Sequence, residues 1–519
     1  MPKTRLNPIL AVLVILAATL RLINGPRPYD DAFITFRYVE NITNGTGFVY
    51  NAGEFVLGTT TPLYTLLLAL LHFPFNSDLG WIALIINTLA DCVSLVLLYL
   101  LGRKFIGEKA QGVVYAAPLL FAVSVFSTNW CIGGMETSLF SFLLLLSFYL
   151  TVTRQTVWGA FAASLATLCR PEGIIIAGLV LIAAGVIRRG IPWRESLLMA
   201  ATGAPWALFA TLYFGSPIPH SITAKGDKVY IFAETGLARF KQFSLIAWDN
   251  PIGQFITAMK LPDGKKIFAL GLAATIIFLA LILAGIWRIW KTDRVAGSIA
   301  LAFPLLLNGA YVLATYRDVL IFDWYLVPLV LWYLLLTTTG LYQWSNWIRS
   351  WASRWVKPKV GFNRLFVAGI VLYLEVSLAN QMQAYDWGRT RMKSPEYYRE
   401  AAQLISPHLK PTDTIIAPEI GMLGYYANAR IFDSVGLISP GALKYYPVPP
   451  NELASNNAIP TRMVNELNPE YVISLELFVR NSLNLSQQFK ENYTLLQKIA
   501  TSAYGSDGLL IYIRKDLLK

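Results

Sequence analysis

The sequence predicts an all-α polytopic membrane domain of about eleven spanning helices. Juxtamembrane helices follow in the first outer loop, and a small α/β domain outside the membrane closes the chain. Three observations predict this. First, the 519 residues are 55% hydrophobic and only 14% charged, where soluble domains carry about a quarter charged residues; mean hydropathy is +0.49. Second, the short basic loops alternate along the chain. Third, composition turns polar after residue 383, with short strand-like and helical runs.

Residues 7–23, "NPILAVLVILAATLRLI", follow Lys3 and Arg5. No small-residue cleavage site comes next, so this run predicts a retained first membrane helix. Further apolar runs cover 80–101, 112–128, 138–153, 156–169, 172–187, 196–214, 267–287, 296–314, 324–340 and 364–380. The run at 61–75, "TPLYTLLLALLHFPF", is shorter and ends near Pro74. If it does not cross, the loops with Arg103 and Lys104, Arg154, Arg188 and Arg189, Arg288 and Lys291, and Arg349 and Arg354 all share the side of Lys3 and Arg5. That is the positive-inside pattern. The run at 61–75 therefore reads as a juxtamembrane or re-entrant helix on the outer face. The expected division is a membrane domain over 1–383 and an outer domain over 384–519. In the latter, "SPEYYREAAQLI" reads as helix, and "TDTIIAP" and "GLLIYIRK" as strands.

The net charge of +12 belongs to these loops. No Lys/Arg run has aromatics spaced for base stacking, so nucleic acid is not an expected partner. Cys92, Cys131 and Cys169 form no CxxC, and His72, His220 and His408 are scattered. Neither a disulfide nor a metal site is expected, and no cofactor is called for.

On this topology an unusual set of polar residues falls at the outer ends of the helices. Asp30 and Asp31 open "DDAFITFRY", with Arg37 two turns on. Each aspartate could cap that helix or serve as a general base. Glu136 heads an apolar helix, where an acid favours the helix dipole. Arg170 and Glu172 flank Pro171, where a local ion pair accounts for both. His220 and Lys225 lie in "GSPIPHSITAKGDK", and Arg317, Asp323 and Tyr325 in "TYRDVLIFDWY". Taken together, carboxylates and cations collected at one membrane face suit transfer from a lipid phosphate. They also suit a transporter or flippase of lipid-linked sugars. A transporter commonly carries two related halves, and no internal repeat is visible. A glycan-binding assembly protein is a third class, for which so many helices exceed an anchor.

The stretch "PYDDAFITFRYVENITNGTGFVYNAGEFVLGTTTPLYTLLLALL" resembles the first outer loop of GT-C glycosyltransferases. It is most similar to the actinobacterial terminal arabinofuranosyltransferase-like group. Asp30, Asp31, Arg37, Tyr38, Asn41, Gly45, Gly47, Asn51, Gly53, Glu54, Gly58 and Thr59 carry the match. "GGMETSLF", "RPEG", "GSPIPHSITAK", "FDWYLVP" and "IGMLGYYANARIFDSVGLISP" follow in order. Leu57 and His220 depart from the pattern, beside the expected substrate cavity.

The resemblance implies an inverting enzyme in the cytoplasmic membrane. Such an enzyme passes a sugar from a polyprenyl-phosphate carrier to an acceptor hydroxyl of an envelope glycan, lipid or protein outside. It implies Asp30 as the base, with Asp31 as orienting partner or alternative base. Arg37, Arg170, His220, Lys225 and Arg317 would hold the phosphate. Glu136, Glu172, Asp323 and Tyr325 would position sugar or acceptor.

Overall fold

The structure is a computed structural model that describes residues 7–107, 112–226, 264–316, 323–352, 396–410 and 412–518. The first helix, α1 (Pro8–Leu22), starts where Asn7 accepts the Leu10 N–H and Pro8 needs no donor of its own. In the first loop, α2 (Asp30–Thr43) and α3 (Pro62–His72) follow. α3 has 11 residues, about 17 Å, too short to cross a bilayer upright. α4 (Leu79–Ile106) has 28 residues, opens on an Asp78 cap and closes on Arg103 and Lys104.

The run expected to span at 112–128 is broken. It forms α5 (Ala116–Ala122), preceded by a 3-10 turn, and α6 (Val125–Ile132), bent by 45°. The cause is Ser124, which takes an extended backbone and caps α6 through the Ser127 N–H. The break frees the Ala122 carbonyl, and Arg21 of α1 donates to it at 3.3 Å. Arg21 also pairs with Asp91 of α4 at 2.6 Å, both fully buried. A carbonyl exposed at membrane depth needs such a partner.

The bundle continues through α7 (Thr137–Val152), α8 (Thr156–Cys169), α9 (Gly173–Arg188), α10 (Trp193–Phe214) and α11 (His220–Gly226). Then come α12 (Gly264–Thr292), α13 (Arg294–Tyr316) and α14 (Val327–Ala352). Among the described residues, four helices are long and apolar enough to cross a membrane, or five with the bent pair; α1, α3, α7, α8 and α9 are shorter apolar helices. The run at 364–380 lies outside the described residues. Ile174, Ile182 and Val186 of α9 and Leu197, Leu208 and Leu212 of α10 point outward. That exterior suits lipid, and the chain is a multi-pass membrane protein.

The C-terminal domain has α15 (Glu396–Ile405), β1 (Thr414–Ala417), α16 (Gly421–Ala427), β2 (Arg430–Asp433), α17 (Thr461–Leu467), β3 (Tyr471–Leu475), β4 (Tyr493–Ile499) and β5 (Leu509–Arg514). The strands run in the order β2-β1-β3-β5-β4. β1 is parallel to β2 and β3, while β5 is antiparallel to β3 and β4. The expected strands "TDTIIAP" and "GLLIYIRK" become β1 and β5. Alternation of side chains sets where the sheet packs. Ile415, Ile473 and Ile511 join one apolar cluster with α15 and with Phe33, Phe36 and Tyr50 of the first loop. Ile416, Val472 and Leu510 face the other way, against Met463, Val464 and Phe489. One face of the sheet thus shares its core with the first loop.

Candidate active site

The first loop is pinned from below by backbone pairing. The Arg27 N–H donates to the Ile132 carbonyl at 2.8 Å and the Tyr29 N–H to Gly133 at 3.0 Å. Gly134 takes φ +78°, and a Cβ there would lie 3.0 Å from Pro28 and 3.1 Å from Ala32. Glycine is required for both reasons. Tyr29 stacks on Trp130 with ring centroids 4.6 Å apart. The "DDAF" and "GGMET" motifs are therefore neighbours.

Asp30 does not cap its own helix. Tyr29 holds the cap position, with no side-chain cap bond. The Asp30 carboxylate instead reaches the C-terminal domain, accepting the Gly421 N–H at 3.0 Å and the Met422 N–H at 2.8 Å. Those bonds favour the ionised form, but burial opposes them and wins, helped by the neighbouring Asp31 charge. The carboxyl is held up at about 6. Asp31 itself is exposed.

A third carboxyl, Glu419, stands beside the pair and was not anticipated from sequence. Its Oε2 accepts the Tyr398 hydroxyl at 2.5 Å. Burial and the Asp30 charge push it up to about 8. The available signal was its place two residues before the "GMLGYY" stretch, which only proximity to Asp30 makes meaningful.

These acids set a pH dependence. Asp30 and Asp433 rise from 3.8 to about 6 and Glu419 from 4.5 to about 8, each chiefly through burial. The folded state therefore binds protons more tightly than the unfolded chain, so stability falls as pH rises from about 4 to about 8. We expect a lower melting temperature at pH 8 than at pH 5 in detergent. A melting temperature that climbs over that interval would contradict the burial of these groups.

Arg37 reaches into the seam with the C-terminal domain. Its guanidinium donates to the carbonyls of Tyr50 at 2.8 Å, Ala429 at 2.6 Å and Gly424, and to Asn51 Oδ1 at 3.3 Å. It also lies over the Tyr50 ring at 4.3 Å. These bonds give Arg37 a task other than the expected hold on a phosphate: it joins the first loop to the C-terminal domain. Asn51 continues that seam, donating to the Ile431 carbonyl at 2.8 Å and accepting the Ile431 N–H at 3.1 Å. Glu54 pairs with Arg430 at 2.6 Å. A Cβ on Gly424 would sit 1.8 Å from the Tyr50 hydroxyl. The two longest motifs in the sequence are two sides of one interface.

Arg170 also differs from expectation. It is buried between Glu136 at 2.7 Å and Glu172 at 2.9 Å, with the Tyr325 ring at 4.4 Å. One cation between two carboxylates carries no surplus positive charge for a phosphate. The local ion pair is the better account, enlarged by Glu136. The structure does bring Glu136, Arg170, Glu172 and Tyr325 together, and Trp324 links them to Trp130 at 5.2 Å.

His220 starts α11, and its N–H donates to the Leu57 carbonyl at 2.7 Å. α11 also packs on Pro440–Tyr445. Lys225 lies on the same helix, but its side chain, that of Asp323, and all of Arg317 lie outside the described residues.

Residues 383–512 match a family model described as a domain of unknown function, DUF8728. A terminal β-(1→2)-arabinofuranosyltransferase of Mycobacterium tuberculosis is 28% identical over 225 residues, 38% of this chain and 35% of the relative. Its Corynebacterium glutamicum counterpart is 27% identical over 300 residues, 51% of this chain and 39% of the relative. The chain thus spans little over a third of the length of these curated relatives. Among solved structures, ArnT from Cupriavidus metallidurans bound to undecaprenyl phosphate superposes with a TM-score of 0.55 at 11% identity, covering 97% of this chain and 96% of that one. The oligosaccharyltransferase AglB from Archaeoglobus fulgidus, in complex with an inhibitory peptide and a dolichol-phosphate, gives 0.56 at 13% identity, covering 90% and 69%.

The chain shares the GT-C fold of ArnT and AglB and is similar over part of its length to the two arabinofuranosyltransferases. In this fold the aspartate pair of the first loop lies where that loop, the "GGMET" turn and the C-terminal domain converge.

Proposed function

We propose that the protein transfers a sugar from a polyprenyl-phosphate donor to a hydroxyl of an envelope glycan, lipid or protein at the outer face of the cytoplasmic membrane. Residues 1–383 would form the catalytic membrane domain and 384–519 the outer domain. The observation that carries this reading is Asp30. It is a half-buried carboxylate, oriented by two amides and held up at about 6. A base of that strength is poised for proton transfer near neutral pH. The likeness to ArnT and to the arabinofuranosyltransferases supports the donor class.

The reaction is a single inverting displacement. The acceptor oxygen forms a bond to the anomeric carbon as its proton passes to Asp30. The bond from that carbon to the carrier phosphate breaks, and the electron pair leaves on the phosphate oxygen. With Arg37 and Arg170 engaged elsewhere, charge for the leaving phosphate falls to His220, Lys225 and Arg317. Glu136, Glu172, Asp323 and Tyr325 remain the residues that shape the sugar side.

The test is purified protein in detergent, given a panel of labelled polyprenyl-phosphate sugars that begins with arabinofuranose, and an arabinofuranosyl oligosaccharide. Label in the oligosaccharide, with stoichiometric release of polyprenyl phosphate, is the expected result. Movement of intact donor across proteoliposomes without transfer would favour the flippase reading instead.

A further inference from the structure

The C-terminal domain bonds Asp30 through the segment from Glu419 to Gly424. Gly421 and Met422 each present an N–H to one Asp30 oxygen. A Cβ on Gly421 would lie 1.8 Å from the Asp30 carbonyl oxygen, so no larger residue lets the segment come so near. Two turns along α2, Arg37 grips the same segment at the Gly424 carbonyl, and Tyr50 donates to the Ile420 carbonyl at 2.6 Å. The segment is thus fastened on both sides of the amides that orient Asp30.

We propose that the C-terminal domain is a working part of the catalytic centre. The Gly421 and Met422 amides hold Asp30 in its reactive orientation, and Arg37 is the positioning residue that locks those amides in place. This rests on the reading of Asp30 as the base. It gives a task to a domain whose family model carries none. Asp30 is faced by Asp31 on its own helix, by Tyr50 of the first loop, and by Glu419, Tyr398 and Tyr504 from the C-terminal domain. Of its neighbours, the two amides are the ones that favour its ionised form.

The test removes one amide and leaves every charge in place. Met422 is the second residue of α16, where proline is tolerated because that N–H has no partner within the helix. Met422→Pro deletes the donor to Asp30 Oδ1. A lost bond to a carboxylate is worth about 1.5 kcal/mol, or about one pH unit. The acid limb of the turnover-pH profile should therefore move up by about one unit, and turnover at pH 6 should fall about fivefold. The donor KM should not move.

Gly424→Ala serves as a second variant, since its Cβ meets the Tyr50 hydroxyl and comes 2.9 Å from Arg37 Nη1. It should shift the same limb in the same direction. Gly441→Ala, in open space within the same domain, should shift nothing. An unmoved acid limb in folded Met422→Pro and Gly424→Ala protein, alongside an inactive Asp30→Asn, would overturn this proposal and spare the base. An active Asp30→Asn variant would remove both.

Discussion

Asp30→Asn is expected to lower sugar transfer by ~10²–10⁴-fold, the usual worth of a general base. The structure sharpens how that loss must be read. Asparagine keeps one carbonyl oxygen for the Gly421 or Met422 amide, but its own N–H₂ meets the other. The variant therefore loses one charge-assisted bond at the domain seam, worth about 1.5–3 kcal/mol. Melting temperature and turnover need to be measured on the same sample. Asp31→Asn supplies the comparison, because Asp31 is the exposed member of the pair. A large turnover loss in Asp30→Asn with a modest drop in melting temperature is the expected pattern. Near wild-type transfer would end the case for Asp30, and a loss confined to Asp31→Asn would exchange the two roles.

Arg170→Ala should have the largest effect on stability. Removing the guanidinium leaves the buried Glu136 and the half-buried Glu172 without their cation. Breaking a buried pair in this way costs about 3–5 kcal/mol. Arg170→Lys keeps the charge but not the fork that reaches both carboxylates, so it should fall between alanine and wild type. Thermal unfolding in detergent measures this, and lowering the pH should recover part of the loss as the freed carboxylates take up protons. A variant that melts like wild type yet needs far more donor would return Arg170 to the phosphate.

Much of the site was legible because local chemistry reports itself. Asp30, Asp31 and Glu136 stand out as carboxylates at the ends of apolar helices, and "TDTIIAP" and "GLLIYIRK" alternate as strands must. Partner choice was not legible. Arg37 and Arg170 look alike in sequence, each an arginine within a motif that joins apolar runs. One joins two domains through backbone carbonyls, and the other neutralises two acids. Glu419 carried no signal of its own, since a glutamate before an apolar segment is ordinary until Asp30 is found beside it.

By itself, the sequence determined the class of molecule: apolar runs with alternating basic loops require a membrane bundle, and a polar tail with strand-like runs requires a separate sheet domain. Those features depend on periodicity and composition, which are properties of neighbours along the chain. The tertiary structure alone decided that the tail packs its sheet face on the first loop, that a serine breaks the run at 112–128, and that Asp30 is held by amides nearly four hundred residues away. Such contacts depend on which groups burial leaves needing a hydrogen-bond partner, and that need exists only once the chain has folded.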